Sequence, residues 1–234
     1  MKKLFISLLP LIFISQLSLS QQSSSITVNY YFWGNATYNS IGGDFDGKGS
    51  YNIEELGDNT IILPDYGPSV GWEIGMGASV GNHWFDVALG YTAYNNATSE
   101  YASTLGADEE IIDAYLGYYE ANYGYRFLDT KRLDVYGIIG SGVNTKSANR
   151  TYTASFSSGI TKYKAINVNL GINMKYYATK RIFLNTSVLY KISSHSTVEI
   201  SSASIGDYSI SSLNGNWLSI NLGLGVKLGK TESL

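Results

Sequence analysis

The stretch DFDGKGSYNIEE, residues 44 to 55, places oxygen-bearing side chains at the spacing of a calcium loop, with Asp44 at position 1, Asp46 at 3, Gly49 at 6 and Glu55 at 12. A calcium ion takes several oxygen ligands, a glycine for the sharp turn and a bidentate carboxylate to close the site. Lys48 breaks the pattern, because it stands where another oxygen is needed and sets a positive charge beside the ion. The flanks read as strands, whereas a helix–loop–helix site needs a helix on each side. A polar loop between two strands is therefore the plainer reading, and neither a metal nor a cofactor is expected.

The second constellation surrounds His195 in KISSHSTVEI, with Ser193, Ser194, Ser196 and Glu199 close in sequence. Histidine is the usual general base, and a Ser/His/Glu arrangement would activate a hydroxyl nucleophile. Serine is abundant throughout this chain, so proximity in sequence says little, and no catalytic residue is assigned. The other histidine, His83, belongs to a short turn and is expected to be solvated.

Around these residues, the chain begins MKKLFISLLPLIFISQLSLSQQ: two lysines, an apolar run too short to span a bilayer, and small residues at 18 and 20. This is the pattern of a secretory signal, so residues 1–20 are expected to be removed before Gln21, leaving 21–234 as one exported domain. There is no cysteine, which excludes a disulfide scaffold, a thiolate zinc site and a lipid-anchored N-terminus. Loss of Lys2 and Lys3 takes the formal charge from -3 to -5, an acidic balance that argues against nucleic acid. The mature part has no apolar run long enough for a membrane helix. Strands that alternate apolar and polar side chains could still cross a membrane as a barrel.

In WLSINLGLGVKLG, residues 217–229, Leu218, Ile220, Leu222, Leu224, Val226 and Leu228 share one face, and Ser219, Asn221, Gly223, Gly225 and Lys227 share the other. Residues 163–177 alternate as sharply, and weaker versions cover 26–38, 69–81, 84–95, 112–127, 133–145 and 181–192, giving eight strands. The links alternate in length. The joints at Asn82 and His83, at LDTKR and at ATKR are tight hairpins, whereas 39–68, 96–111, 146–162 and 193–215 are long and polar. All tight turns thus fall at one end and all long loops at the other. The expected fold is all-β: an eight-stranded antiparallel up-and-down transmembrane β-barrel with short periplasmic turns and long extracellular loops.

Charges within the strands decide which face is inside. Glu73, Asp86, Glu120, Arg126, Asp134, Lys175, Lys191 and Lys227 all lie on the more polar face. A charge facing lipid at the bilayer midplane costs about 2–4 kcal/mol, so these eight are expected to line the lumen and to pair across it. A soluble up-and-down carrier would reverse the faces. Two aromatic girdles are expected: Trp84, Phe85, Tyr125, Phe127 and Tyr176 near the short turns, and Trp72, Tyr91, Tyr115, Tyr190 and Trp217 near the loops.

In leader, strand count, alternation and loop order, the chain resembles the OmpA-like and OmpX-like eight-stranded outer-membrane barrels of Gram-negative bacteria. It departs from them at the C-terminus, where Leu228 and GKTESL stand in place of the usual terminal aromatic. The resemblance implies outer-membrane lipid, lipopolysaccharide and the barrel-insertion machinery as partners. It also implies a structural or surface-interaction role through the loops, with a narrow OmpW-like conduit for small or apolar solutes as the alternative. Lipid A deacylases of this barrel class carry a His-x-Ser-Asn pattern, but here Thr197 and Val198 follow His195 at those positions.

Overall fold

The computed structural model describes residues 27–47, 50–52, 60–95, 97, 109–152, 157–200 and 206–228. Among the described residues there are eleven strands: β1 (Val28–Ile41), β2 (Ser50–Asn52), β3 (Thr60–Ile62), β4 (Pro68–Val80), β5 (His83–Tyr94), β6 (Glu109–Asp129), β7 (Leu133–Tyr152), β8 (Ser157–Tyr177), β9 (Ile182–Ile200), β10 (Gly206–Asn214) and β11 (Trp217–Leu228). Eight of them close a barrel in the order β9-β11-β1-β4-β5-β6-β7-β8, with β8 returning to β9. The closing pair runs antiparallel in unbroken register from Tyr30 opposite Leu228 to Ile41 opposite Trp217. With no edge left open in the barrel, every strand there has a partner on both sides.

Sidedness follows the period of two. Leu222 is 55% exposed and its neighbour Asn221 is 0% exposed, and the same alternation continues along β11. On β8 the outward side chains from Ile166 through Val168, Leu170, Ile172 and Met174 to Tyr176 are all apolar and exposed. At about 3.3 Å per residue and a tilt of about 40°, this run rises about 25 Å, the height of a barrel's lipid-facing band. Runs of similar length occupy β9, from Ile182 to Ile192 with one break at Thr186, and β11, from Leu218 to Leu228. An apolar wall this continuous is stable only where something other than water covers it.

Several of the large inward side chains lie over a glycine of the neighbouring strand. Trp33 stands opposite Gly75, Tyr118 opposite Gly90, and Phe183 opposite Gly225. A methyl group at any of these glycines would run into the ring. Glycine here makes space for aromatic fillers.

Three expectations are corrected. Of residues 146–162, those described are strand rather than loop, because β7 runs to Tyr152 and β8 starts at Ser157. Above the lipid-facing band the outer face needs no apolar side chains, so Ser- and Thr-rich strands there look like loops by composition. Residues 193–215 likewise carry the end of β9 and the whole of β10, which pair as a hairpin. Trp84 and Trp217 belong to no girdle: both point inward and are buried, while Tyr125, Phe127, Tyr176, Trp72, Tyr91 and Tyr190 are exposed on the outer wall.

The two ends of the molecule differ. At the short-turn end the strands stop within a few residues of one another. At the long-loop end β6, β7, β8, β9 and β10 continue above β1, β4 and β5 as a five-stranded extension. The gap in that wall is occupied by the segment after β1, described next.

Candidate functional site

The inward side chains form three layers. At the short-turn end Tyr31, Trp33, Trp84, Tyr136, Ile138, Phe183 and Leu189 make a buried cluster. Its rings meet edge and face, Tyr31 to Trp84 at 4.7 Å and Trp84 to Tyr136 at 5.7 Å. The Lys175 ammonium lies over Trp84, with the rings of Tyr136 at 4.4 Å and Tyr31 at 4.9 Å. Aromatic faces thus replace part of the water that this cation has lost.

The middle layer is polar. Glu73 accepts hydrogen bonds from Asn35 at 2.9 Å and from the Tyr118 hydroxyl at 3.0 Å. Asp86 accepts from the Trp84 indole at 2.5 Å and from Asn122 at 2.9 Å. Asn169 donates to Asn122 at 3.0 Å, and Asn167 donates to Glu120 at 3.3 Å. Glu120 and Lys191, both fully shielded from solvent, face each other across the lumen at 2.7 Å. Between this layer and the short-turn cluster lies a cavity of about 30 Å³, lined by Trp33, Glu73, Trp84, Asp86 and Asn173 among others. That is about the volume of one water molecule.

The third layer closes the long-loop end. Phe45, Leu63, Tyr66, Tyr94, Leu116, Tyr118, Tyr163, Val198, Leu213 and Trp217 form a second buried cluster. Phe45 comes from the segment after β1 and inserts between Tyr163, 5.1 Å away, Tyr66 at 5.8 Å and the His195 ring at 4.9 Å. A backbone clasp holds it there. Asp44 N donates to Asn214 O at 2.8 Å, and the Asp44 carboxylate accepts Asn214 N at 2.7 Å. Gly43, at φ 79°, makes the turn, and a side chain there would strike the Asn214 carbonyl.

Lys146 is fully buried beneath Phe45. Its Nζ donates to His195 Nε2 at 3.0 Å, to Gly215 O at 3.0 Å and to Asn144 Oδ1 at 3.4 Å, so each of its three donors has an acceptor. His195 Nδ1 lies 3.3 Å from Leu213 O. These partners assign the proton to Nδ1 and leave Nε2 as the acceptor. Burial first, and then the Lys146 charge, hold this imidazole well below the ordinary histidine range. His195 lies above the lipid-facing band, in the cap.

Each of the eight strand charges has a definite place. Glu73, Glu120, Asp134, Lys175 and Lys191 are buried inside, while Asp86, Arg126 and Lys227 are partly buried. They do not form one network of cross-lumen pairs. Glu120 and Lys191 do pair, and Arg126 bridges Asp134 at 3.5 Å and Asp129 at 3.0 Å at the short-turn rim. Glu73 and Asp86 are held by amides, a phenol and an indole, and Lys175 by rings. Among the described residues Lys227 has no ion pair. Inward asparagines such as Asn167, Asn169 and Asn221 lay on the polar faces that the sequence predicts, whereas Lys146 and Phe45 were missed. Continued alternation through Asn144, Lys146 and Ala148 was the available signal for Lys146, whereas a lone aromatic in a polar loop gave none.

The Ser/His/Glu arrangement is not formed. Lys164 pairs with Thr197 and Ala165 with His195, so Ser196 is an extra residue in β9. This bulge resets the alternation, which sends Val198 inward and leaves Glu199 outside on Lys164 at 2.9 Å and Lys162 at 3.4 Å. His195 and Glu199 therefore lie on opposite faces of the wall. In the calcium-like stretch Asp44 is engaged by Asn214, and Asp46 bridges Asp65 through the backbone. Lys48, Gly49 and Glu55 lie outside the described residues or their side chains.

A closed antiparallel barrel of eight strands, apolar without and polar within, with short turns at one end and long loops at the other, is the fold of the outer-membrane barrels. Known structures agree. A major outer membrane protein from Thermus thermophilus matches with a TM-score of 0.55 at 11% identity, over 86% of this chain and 99% of that one. OprG from Pseudomonas aeruginosa matches with a TM-score of 0.53 at 11% identity, over 88% and 98%. Neisserial surface protein A matches with a TM-score of 0.50 at 14% identity, over 85% and 97%. No family model matches the chain, and no curated protein matches it in sequence.

Proposed function

We propose that this chain is a non-catalytic outer-membrane barrel without a continuous channel, whose long-loop end is the part that engages other molecules outside the cell. The observation that carries the reading is the double closure of the lumen: buried aromatic clusters at both ends, and a cavity between them with room for about one water. A solute could not follow the axis without displacing Phe45 and Trp217 at one end and Trp84 at the other. The extension of β6 to β10 and the clasped segment after β1 present the exposed surface at the loop end. Residues 1–20 would act as the export signal, leaving a mature chain that begins at Gln21. Outer-leaflet lipopolysaccharide would surround the wall, and the insertion machinery would place it there.

Planar-bilayer recording on the purified protein tests this against the narrow-conduit alternative. Wild type should give no discrete conductance steps, and Phe45→Ala with Trp217→Ala should still be held shut by the short-turn cluster. Steady unitary currents from wild type would overturn the reading in favour of a conduit.

A further inference from the structure

The short-turn rim carries a charge pattern that neither the lumen nor the cap uses. β6 is joined to β7 through Thr130, Lys131 and Arg132, and β8 to β9 through Thr179, Lys180 and Arg181, so one Thr-Lys-Arg triplet is used twice. The two turns are built alike. In each, the Thr Oγ accepts the amide of the first residue of the next strand, Leu133 or Ile182, at 2.9 Å. It also lies 3.4 or 3.2 Å from the amide of the arginine, Arg132 or Arg181. The turns adjoin as well, because Tyr177 N at the end of β8 donates to Arg132 O at 2.7 Å. All four cationic side chains are exposed.

Their level is fixed by the wall above them. The outward apolar run of β8 ends at Tyr176, that of β9 starts at Ile182, and β6 ends its run with the exposed Phe127 and Leu128. Lys131, Arg132, Lys180 and Arg181 therefore stand just beyond the lipid-facing band, where phosphate groups lie. Turns this short cannot lift a side chain past the headgroup layer to a partner deeper in the periplasm. Among the described residues none of the four makes an ion pair. Asp129 and Asp134, the acids beside them, are both held by Arg126. At the opposite edge of the band the situation is reversed, since Lys162 and Lys164 are both held by Glu199.

We propose that this rim is a binding site for anionic phospholipid headgroups of the periplasmic leaflet, with each Lys-Arg turn taking a phosphate. Each exposed cation at a membrane surface raises the local concentration of anionic lipid by roughly fivefold at low salt, and the effect fades with screening.

The test uses the full protein in phosphatidylcholine bilayers doped with spin-labelled phosphatidylglycerol or spin-labelled phosphatidylcholine, reading the immobilised fraction next to the wall. The relative association of phosphatidylglycerol should exceed that of phosphatidylcholine several-fold. It should fall to about parity in K131Q/R132Q/K180Q/R181Q and in wild type at about 1 M salt, while K162Q/K164Q keeps it. Either turn neutralised alone should lose part of the preference, which keeps the proposal testable if the fourfold variant does not fold. No preference in wild type, a preference that survives neutralisation of both turns, or one abolished by K162Q/K164Q would overturn the assignment.

Discussion

Within so narrow a lumen an ion is stable only where neighbours take over from water, and the eight strand charges show three ways of arranging this. Glu120 and Lys191 serve each other at 2.7 Å, Glu73 and Asp86 rely on neutral donors, and Lys175 rests on aromatic faces. Which of these holds a charge matters when it is altered. Removing one member of a buried pair strands the other, at about 3–5 kcal/mol, whereas replacing both by apolar groups of similar volume is close to neutral. Glu120→Gln should therefore lower the unfolding free energy by about 3 kcal/mol, and Glu120→Leu combined with Lys191→Met should recover most of that loss. Urea unfolding followed by tryptophan fluorescence measures both variants; equal stability of wild type and Glu120→Gln would show that the pair contributes nothing.

Among the elements, β9 shows how one extra residue decides what a strand presents. Without the bulge at Ser196, Glu199 would face the apolar cap and Val198 the outside; with it, Val198 packs in the cap and Glu199 reaches Lys162 and Lys164. Deleting Ser196 removes the extra residue itself and should close the bulge yet leave Val198 inward and Glu199 outward, because Thr197 would then follow His195 in regular alternation opposite Lys164 and Ala165. Limited proteolysis should then cut the long-loop end no faster than in wild type, while faster migration of the unboiled protein on gels shows that the barrel persists; markedly faster cleavage would contradict this reading of Ser196 as the extra residue. The same strand shows why legibility stops where it does. From Ile182 to Ile192 the outward positions are apolar except at Thr186, as lipid demands, and the alternation can be read directly. Beyond Ile192 the outer face meets water, Ser194 and Ser196 suffice there, and a strand becomes indistinguishable from a loop by composition. The inward phase of Asn144, Lys146 and Ala148 continued unbroken, but their outward neighbours no longer supplied contrast. Phe45 was harder still: it lies inside a stretch that looked like cation-binding chemistry, and only the fold shows that Asp44 serves to clasp Asn214 and hold the ring in the barrel mouth.

For the whole molecule, the apolar band, the closed ladder and the two plugs describe a cylinder greasy outside and filled inside, with cations at one rim and a built-up wall at the other. All of it rests on which way the two faces of each strand point. Nitroxide labels at Leu222 and at Asn221, in protein reconstituted in bilayers, report this directly through collisions with oxygen, which concentrates in lipid, and with a water-soluble nickel chelate. The label at Leu222 should be relaxed strongly by oxygen and weakly by the chelate, and the label at Asn221 should be shielded from oxygen. A label at Asn221 that meets oxygen as freely as lipid does, with the chelate reaching Leu222, would contradict the account.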